Sequence, residues 1–251
     1  MLAFEVDEAG NDRTALLLHS LALDRSAFAW LRPGLAESAD AIVVDLPGHG
    51  ASPSPREPSI EAMADHVAET IRGAGLPAPV VAIGNSLGGC VAQALALRHP
   101  DLVEGLGLLD TTCWYGPTAA QDWEARARKA AEEGFDSLAE FQIQRWFTPA
   151  FAERHPEVGE GLLETFRRNR IEDYTAACRA MGAMDLREQV GAIKVPTVVV
   201  VGEQDPATPV SHATDLAERI DGARLEVLPE CSHLSAIERP DAVLAALREL
   251  L

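Results

Sequence analysis

The sequence predicts an α/β fold with a mostly parallel sheet of about eight strands and helices on both faces. Short apolar runs alternate with amphipathic stretches along most of the 251 residues. The run at residues 197–201 is Thr-Val-Val-Val-Val, β-branched throughout as in buried strands. Residues 80–89 lead from four apolar residues through G-x-S-x-G into a helix-forming stretch, which is typical of a strand, a tight turn and a helix.

The individual elements follow from hydrophobic periodicity and turn residues. Strands are predicted over residues 2–6, 14–18, 41–45, 79–84, 103–109, 196–201 and 224–228. Helices are predicted over residues 26–36, 59–74, 90–97 and 240–251. Strands that alternate with helices in this way form parallel sheets whose crossover helices cover both faces.

One long stretch interrupts the alternation. Residues 114–189 contain no predicted strand and form four predicted helices, at 118–134, 137–145, 158–169 and 171–184. An all-helical insertion between two parallel strands is expected over the carboxyl ends of the strands, where open α/β sheets bind ligands. We therefore predict a core domain, residues 1–113 and 190–251, and a helical cap (lid), residues 114–189, inserted before the last two strands.

Composition excludes several classes of function. The net charge of −18 argues against non-specific binding to nucleic acid or to an anionic membrane. No stretch approaches the roughly 20 apolar residues of a membrane span, and the first residues lack the basic region of a signal peptide. The four cysteines are scattered without a C-x-x-C pair, so no metal site or disulfide framework is expected. We expect a cytoplasmic protein, a monomer or homodimer, with a small molecule as its partner.

A catalytic triad is predicted from three strand ends. The tight turn presents Ser86, and a serine nucleophile needs a base and an acid that orients the base. Asp205 follows the strand at 196–201 and His233 follows the strand at 224–228, which gives the chain order typical of G-x-S-x-G enzymes. Asp110 also follows a strand end and is a rival for the acid. The alternative is that Asp205 caps a helix and His233 lies on the surface.

Two backbone N–H groups are predicted to form an oxyanion hole. One belongs to Leu87, the residue after the nucleophile, and the other to Leu21, in the loop after the second strand. His19 and Ser20 are expected to shape this loop.

With these motifs in place, the chain resembles the α/β-hydrolase superfamily along essentially its full length. Residues 44–52, Val-Asp-Leu-Pro-Gly-His-Gly-Ala-Ser, match the D-x-P/R-G-x-G-x-S turn of that superfamily. Within it, the chain is most similar to 3-oxoadipate enol-lactonases of aromatic catabolism, through residues 145–149, 178–181, 185–187 and 196–235. It departs from them at Asn85, because those lactonases commonly carry a hydrophobic residue before the serine.

The resemblance implies a serine hydrolase, a lactonase or esterase, that opens a small lactone or carboxylic ester through an acyl-enzyme without a metal or organic cofactor. Candidate substrate-binding residues are Asn85, Trp114, Arg145 and Trp146. Arg145 either binds a substrate carboxylate or is an exposed arginine of a cap helix.

Three alternatives share this fold. Other carboxylesterases and cofactor-free haloperoxidases or perhydrolases would use the same triad, and a non-catalytic ligand-binding homologue would keep the fold without turnover. A haloalkane dehalogenase is disfavoured, because its nucleophile would be an aspartate where Ser86 stands.

Overall fold

A computed structural model describes residues 1–55 and 57–251 and is built around one sheet. The strand order is β1-β3-β2-β4-β5-β6-β7. β1 runs antiparallel to β3, and the other neighbouring pairs are parallel. The strands are β1 (Phe4–Asp7), β2 (Thr14–Leu18), β3 (Asp40–Val44), β4 (Val80–Asn85), β5 (Val103–Leu109), β6 (Thr197–Gly202) and β7 (Arg224–Leu228). The predicted mostly parallel sheet is confirmed, with seven strands in the described part of the chain.

The helices connect these strands and cover both faces of the sheet. They are α1 (Arg32–Leu35), α2 (Ile60–Ala74), α3 (Leu87–Arg98), α4 (Ala119–Glu133), α5 (Ala139–Trp146), α6 (Pro149–Arg154), α7 (Pro156–Arg167), α8 (Ile171–Ala183), α9 (Val210–Arg219), α10 (Ser235–Glu238) and α11 (Pro240–Leu247). Short 3-10 helices span Arg25–Phe28, Pro100–Leu102, Phe135–Leu138 and Val190–Ala192. Among the described helices, none combines the length and the apolar character that crossing a bilayer requires.

Alternation along the strands divides the core into two layers. In β2, Leu16 and Leu18 pack in one buried cluster, and Leu17 packs in the other. Successive side chains of a strand point to opposite faces, so every central strand contributes to both clusters. Helices α2, α3 and α9 cover the first face, and α1 and α11 cover the second. Strands apolar throughout are the sequence signature of this two-sided burial.

Several element predictions differ from the structure. The predicted helix at 26–36 is divided into the 3-10 helix Arg25–Phe28 and α1, and Pro33 lies in the first turn of α1, where its missing N–H costs no bond within the helix. Helices α6, α9 and α10 were not predicted; the start of α6 is marked by Thr148, whose Oγ1 accepts a hydrogen bond from the N–H of Phe151 at 3.3 Å. The last helix ends at Leu247.

The helical segment at 114–189 begins and ends at adjacent points on the sheet. An isolated antiparallel bridge joins Trp114 to Asp185, and the N–H of Leu186 donates to the carbonyl of Cys113 at 3.0 Å. Within the segment, α4 packs along α8. This geometry is consistent with a cap that leaves and rejoins the core at one place, and the division into two domains stays a prediction.

Candidate active site

The predicted triad and oxyanion residues all follow the carboxyl ends of neighbouring parallel strands. Ser86 directly follows β4 at the centre of the sheet, and Leu21 follows β2 beside it. Asp205 follows β6 and His233 follows β7. Parallel strands end at one edge of the sheet, so four loops that are distant in sequence meet there.

The backbone around Ser86 forms a tight turn that projects its side chain. Ser86 has φ 54° and ψ −114°, in the left-handed half of φ/ψ space that non-glycine residues seldom adopt. A Cβ at Gly84 would lie 2.2 Å from the carbonyl oxygen of Gly88, and a Cβ at Gly88 would lie 1.9 Å from that of Leu18. Both positions therefore require glycine, and α3 begins directly after the serine.

The three triad side chains form one continuous chain of hydrogen bonds. The Ser86 hydroxyl donates to Nε2 of His233 at 2.9 Å, and the Nδ1–H of His233 donates to Oδ2 of Asp205 at 2.8 Å. All three residues are buried. Nucleophile, base and orienting acid are thus in hydrogen-bond reach of one another, the arrangement that serine acyl transfer needs.

Asp205 is held in its charged form by several donors. Its Oδ2 also accepts from the hydroxyl of Thr208 at 2.8 Å, and its Oδ1 accepts from the N–H groups of Ala207 at 2.7 Å and Thr208 at 3.0 Å. Burial alone would raise the pKa of Asp205, but the positive charge of a protonated His233 and these donors outweigh it, so this pKa lies below its usual value. The carboxylate is suited to stabilise an imidazolium.

Asp110 has a different set of partners. Its Oδ1 accepts from the N–H of Gly202 at 3.0 Å, and its Oδ2 accepts from the N–H of Ser235 at 2.9 Å. Burial, and then the negative charge of Asp205, raise the pKa of Asp110 well above its usual value. Its bonds join the end of β6 to the loop that carries His233. The geometry favours Asp205 over Asp110 as the acid.

The two predicted oxyanion donors are available beside the serine. Leu87 is the first residue of α3, where backbone N–H groups have no partner within the helix. Within residues 1–55 and 57–251, the N–H groups of Leu21 and Leu87 have no protein acceptor. Leu21 lines the cavity in front of Ser86. Both groups are free to donate to a substrate oxygen.

Buried polar contacts fix the loop that contains Leu21. His19 Nε2 accepts from the N–H of Leu46 at 2.9 Å, while its Nδ1–H donates to the carbonyl of Ser20 at 2.8 Å. Burial lowers the pKa of His19 to about 4, so the ring is neutral at pH 7. The Ser20 hydroxyl donates to the carbonyl of Asn85 at 3.3 Å, which ties the loop to the strand before the nucleophile.

A small cavity of about 20 Å³ lies in front of Ser86. Its walls come from the core loops and from α4 and α5: Ser20, Leu21, Ser86, Tyr115, Trp123, Arg126, Gln142, Arg145, Trp146, Ala207, Thr208 and His233. Residues of the helical insertion therefore line the space in front of Ser86, and its role as a lid stays a prediction. This volume holds about one water molecule.

Two of the four predicted substrate-binding residues lie elsewhere. The Asn85 side chain is buried behind the serine, where its Nδ2 donates to the carbonyls of Leu109 and His233, each at 3.2 Å. Trp114 lies at the base of the helical insertion, with the guanidinium of Arg187 3.6 Å from its ring centre. The prediction that they line the pocket is corrected: Asn85 fastens the histidine loop, and Trp114 joins the insertion to the core.

Arg145 and Trp146 do line the cavity. Trp146 is buried and packs edge-on against Phe166 at 6.1 Å, so it serves cap packing as well. Among the described residues, no acceptor pairs with the Arg145 guanidinium, and the like charge of Arg126 acts on it. Burial, and then that like charge, lower the pKa of Arg145 to about 10. A partly buried guanidinium without a protein acceptor is suited to receive an anion.

Several lining residues were not predicted from the sequence. Arg126 donates to the hydroxyl of Tyr174 at 2.7 Å and to Oε1 of Gln142 at 2.8 Å, and Tyr115 packs edge-on against Trp123. They belong to the helical insertion, where periodicity predicts helices but not which face meets the serine. Thr208 was not predicted either; the Asp205 side chain accepts from the N–H of Ala207 two residues on, an Asx turn that places the Thr208 hydroxyl beside the carboxylate.

Comparison with known proteins agrees with this geometry. The model of the alpha/beta hydrolase family matches residues 15–246. A 3-oxoadipate enol-lactonase of Acinetobacter baylyi is 34% identical over 92% of this chain and 86% of its own length. A pimeloyl-[acyl-carrier protein] methyl ester esterase of Chromobacterium violaceum is 31% identical over 98% of this chain and 97% of its own.

Solved structures give the same result. The enol-lactonase from Burkholderia xenovorans LB400 superposes with a TM-score of 0.93 at 34% identity, covering 99% of this chain and 95% of that one. A thermophilic esterase from Thermogutta terrifontis superposes with a TM-score of 0.90 at 33% identity, covering 99% and 92%. The chain belongs to the alpha/beta hydrolase family.

Proposed function

We propose that this carboxylic ester hydrolase opens a small lactone or ester by a Ser86–His233–Asp205 acyl-enzyme mechanism, with a substrate that resembles 3-oxoadipate enol-lactone. The unbroken hydrogen-bond chain from Ser86 through His233 to Asp205, 2.9 and 2.8 Å, carries the proposal. The relatives named as enol-lactonases and methyl ester esterases support the same class of reaction.

The mechanism follows from the contacts. His233 Nε2 takes the Ser86 proton while Oγ attacks the carbonyl carbon, and the N–H groups of Leu21 and Leu87 stabilise the oxyanion. The imidazolium, held by Asp205, then protonates the leaving oxygen; in a lactone that oxygen stays on the acyl chain. Water activated by His233 releases the acid. An enol leaving group tautomerises to a ketone, which favours ring opening.

The electrostatics of the cavity support a substrate that carries a free carboxylate. Two guanidinium groups, of Arg126 and Arg145, line the cavity, and no acidic side chain is among the lining residues. Two of the Arg126 nitrogens already donate to neutral partners, while Arg145 has no acceptor among the described residues. A carboxylate would pair with Arg145 and offset the desolvation of its charge.

The decisive experiment is hydrolysis of 3-oxoadipate enol-lactone, followed by loss of its ultraviolet absorbance. Fast loss in the wild type and none in a folded Ser86→Ala variant is expected. An unchanged rate in Ser86→Ala would refute the mechanism. Hydrolysis of simple aryl esters through Ser86, without hydrolysis of the lactone, would keep the hydrolase and discard this substrate.

A second candidate is a methyl ester esterase, favoured by the relatives that match nearly the whole chain at 30–32% identity. A pimeloyl-[acyl-carrier protein] methyl ester has a thioester at the far end of its acyl chain and no free carboxylate there. Methanol release from such a substrate, at a rate that Arg145→Met leaves unchanged, would favour this candidate over the acidic lactone.

A further inference from the structure

A second, more open pocket lies outside the catalytic cavity. It has a volume of about 220 Å³ and lies between α4 and α5. It shares five lining residues with the inner cavity: Tyr115, Trp123, Arg126, Arg145 and Ala207. The shared side chains form the wall between the two spaces, so an opening between α4 and α5 would lead to Ser86.

Phe141 stands at this opening. It lines the outer pocket, and 41% of its surface is exposed, which is unusual for a phenylalanine. The guanidinium carbon of Arg126 lies 5.3 Å from its ring centre and that of Arg145 lies 4.9 Å away. Both distances are within the range of cation–π attraction. One exposed ring thus contacts two like charges of the shared wall. Arg126 is also held by its hydrogen bonds to Tyr174 and Gln142, whereas the ring is the partner of Arg145.

We propose that substrate reaches Ser86 between α4 and α5 and that Phe141 is a specificity-determining residue there, because its ring holds Arg145 across the passage. The inference rests on the proposed function, since it takes Ser86 as the nucleophile and an acidic molecule as the substrate.

The ring and a carboxylate would compete for the same guanidinium. The inner cavity holds about one water molecule, so an acyl group enters only if side chains of the wall move. A charge-assisted, bidentate contact with a carboxylate is stronger than an exposed cation–π contact. An acidic substrate can therefore displace Arg145 from the Phe141 ring. A neutral molecule of the same size has no charged group to replace the cation–π contact and enters more slowly.

Two neutral sulfonyl fluorides test access directly. Methanesulfonyl fluoride is small and phenylmethanesulfonyl fluoride is large, and both react alike: Ser86 Oγ forms a bond to sulfur, fluoride leaves, and His233 takes the proton. The readout is the second-order rate of Ser86 labelling, measured by intact mass. The ratio of interest is the labelling rate of phenylmethanesulfonyl fluoride divided by that of methanesulfonyl fluoride (the large-to-small rate ratio). Phe141→Ala is expected to raise this ratio about fivefold, which corresponds to the loss of about one cation–π contact.

Two further variants sharpen the test. Phe141→Leu fills much of the space without offering a ring face, so its ratio is expected to rise as well. Trp30→Ala is the matched control, because Trp30 is similarly exposed but packs on Phe151 and His155. Its ratio should equal that of the wild type.

Each outcome has a distinct meaning. If Phe141→Ala is labelled with the same large-to-small rate ratio as the wild type, the role of Phe141 is overturned and the proposed function stands. A rise in Phe141→Ala but not in Phe141→Leu would overturn the cation–π account. Absence of labelling by both reagents in the wild type and in Phe141→Ala alike would contradict Ser86 as a nucleophile, and both proposals with it.

Discussion

Replacing Arg145 by methionine should lower activity on acidic substrates and leave the fold as stable or more stable. Methionine keeps the apolar stem and removes the guanidinium. The charge is the group that a substrate carboxylate would contact in the cavity, and without that carboxylate it has no acceptor among the described residues. The same substitution therefore acts with opposite signs on catalysis and on stability.

Both magnitudes follow from the environment of the side chain. Losing hydrogen bonds to a charged partner costs about 1.5–3 kcal/mol, which is roughly 10- to 100-fold in kcat/KM at about 1.4 kcal/mol per tenfold. For stability, burial and the neighbouring Arg126 lower the pKa of Arg145 from its usual value to about 10. Relief of that unfavourable charge is on the order of 1–3 kcal/mol after allowance for partial exposure.

The assay compares two esters that differ only at the far end of the acyl chain. 4-Nitrophenyl hydrogen adipate carries a carboxylate there, and 4-nitrophenyl hexanoate carries a methyl group. The acid-to-neutral ratio of kcat/KM should fall about 10- to 100-fold in Arg145→Met. Arg128→Met, an exposed position on α4, makes the same change in net charge and should leave the ratio unchanged. Equal ratios in the wild type and Arg145→Met would refute the reasoning.

Three other predictions test the triad, the loop before it and the cap. Asp205→Asn should lower kcat about 10⁴-fold, whereas Asp110→Asn should cost about 1–3 kcal/mol of stability and keep most of kcat; the reverse order would transfer the acid role to Asp110. His19 stays neutral in the fold down to about pH 4, while in the unfolded chain it protonates near pH 6.5, so the unfolded state binds more protons between these values. Urea titrations should show the free energy of unfolding falling as pH drops through this window, with a slope about 1.4 kcal/mol per pH unit shallower in His19→Gln; equal slopes would contradict a buried neutral histidine. Gly161→Ala, on the exposed side of α7 with no atom within 4 Å of the new Cβ, should stabilise the fold by about 0.5–1 kcal/mol in the same titrations, and a loss of stability would show strain there.

The sequence predicts the core far better than the cap. Strands such as β4 and β6 are marked by apolar runs, and the elbow is marked by glycines that no other residue can replace. These signals are local. In the cap, helices are predicted by periodicity, but the orientation of α4 and α5 depends on contacts between residues far apart in the chain. Arg126, which reaches Tyr174 across 48 residues, could not be assigned to the site from its neighbours.

The wrong assignment of Asn85 has a similar cause. A polar residue beside the nucleophile is expected to face the substrate, but side chains on a strand alternate between faces. The Asn85 amide therefore points behind the serine, towards the carbonyl of His233, 148 residues away in sequence. Glu238 has a comparable long-range role that no motif marks: it accepts from the N–H of Ser232 at 2.9 Å and from that of Thr148 at 3.2 Å.

These long-range contacts place the proposed anion site and the catalytic base in one rigid frame. The hydroxyl of Ser232 donates to the carbonyl of Arg145 at 3.1 Å, and the N–H of Leu234 donates to the carbonyl of Trp146 at 3.1 Å. The two residues that flank His233 are thus bonded to two of the cap residues that line the cavity, Arg145 and Trp146. A substrate carboxylate bound at Arg145 is then held at a fixed separation from the imidazole, and fixed separation between a bound group and a catalytic base is a large source of rate. Under the proposed function, the C-terminal end of α5 at residues 145–146 would therefore set the length of acyl chain that brings a carbonyl to Ser86.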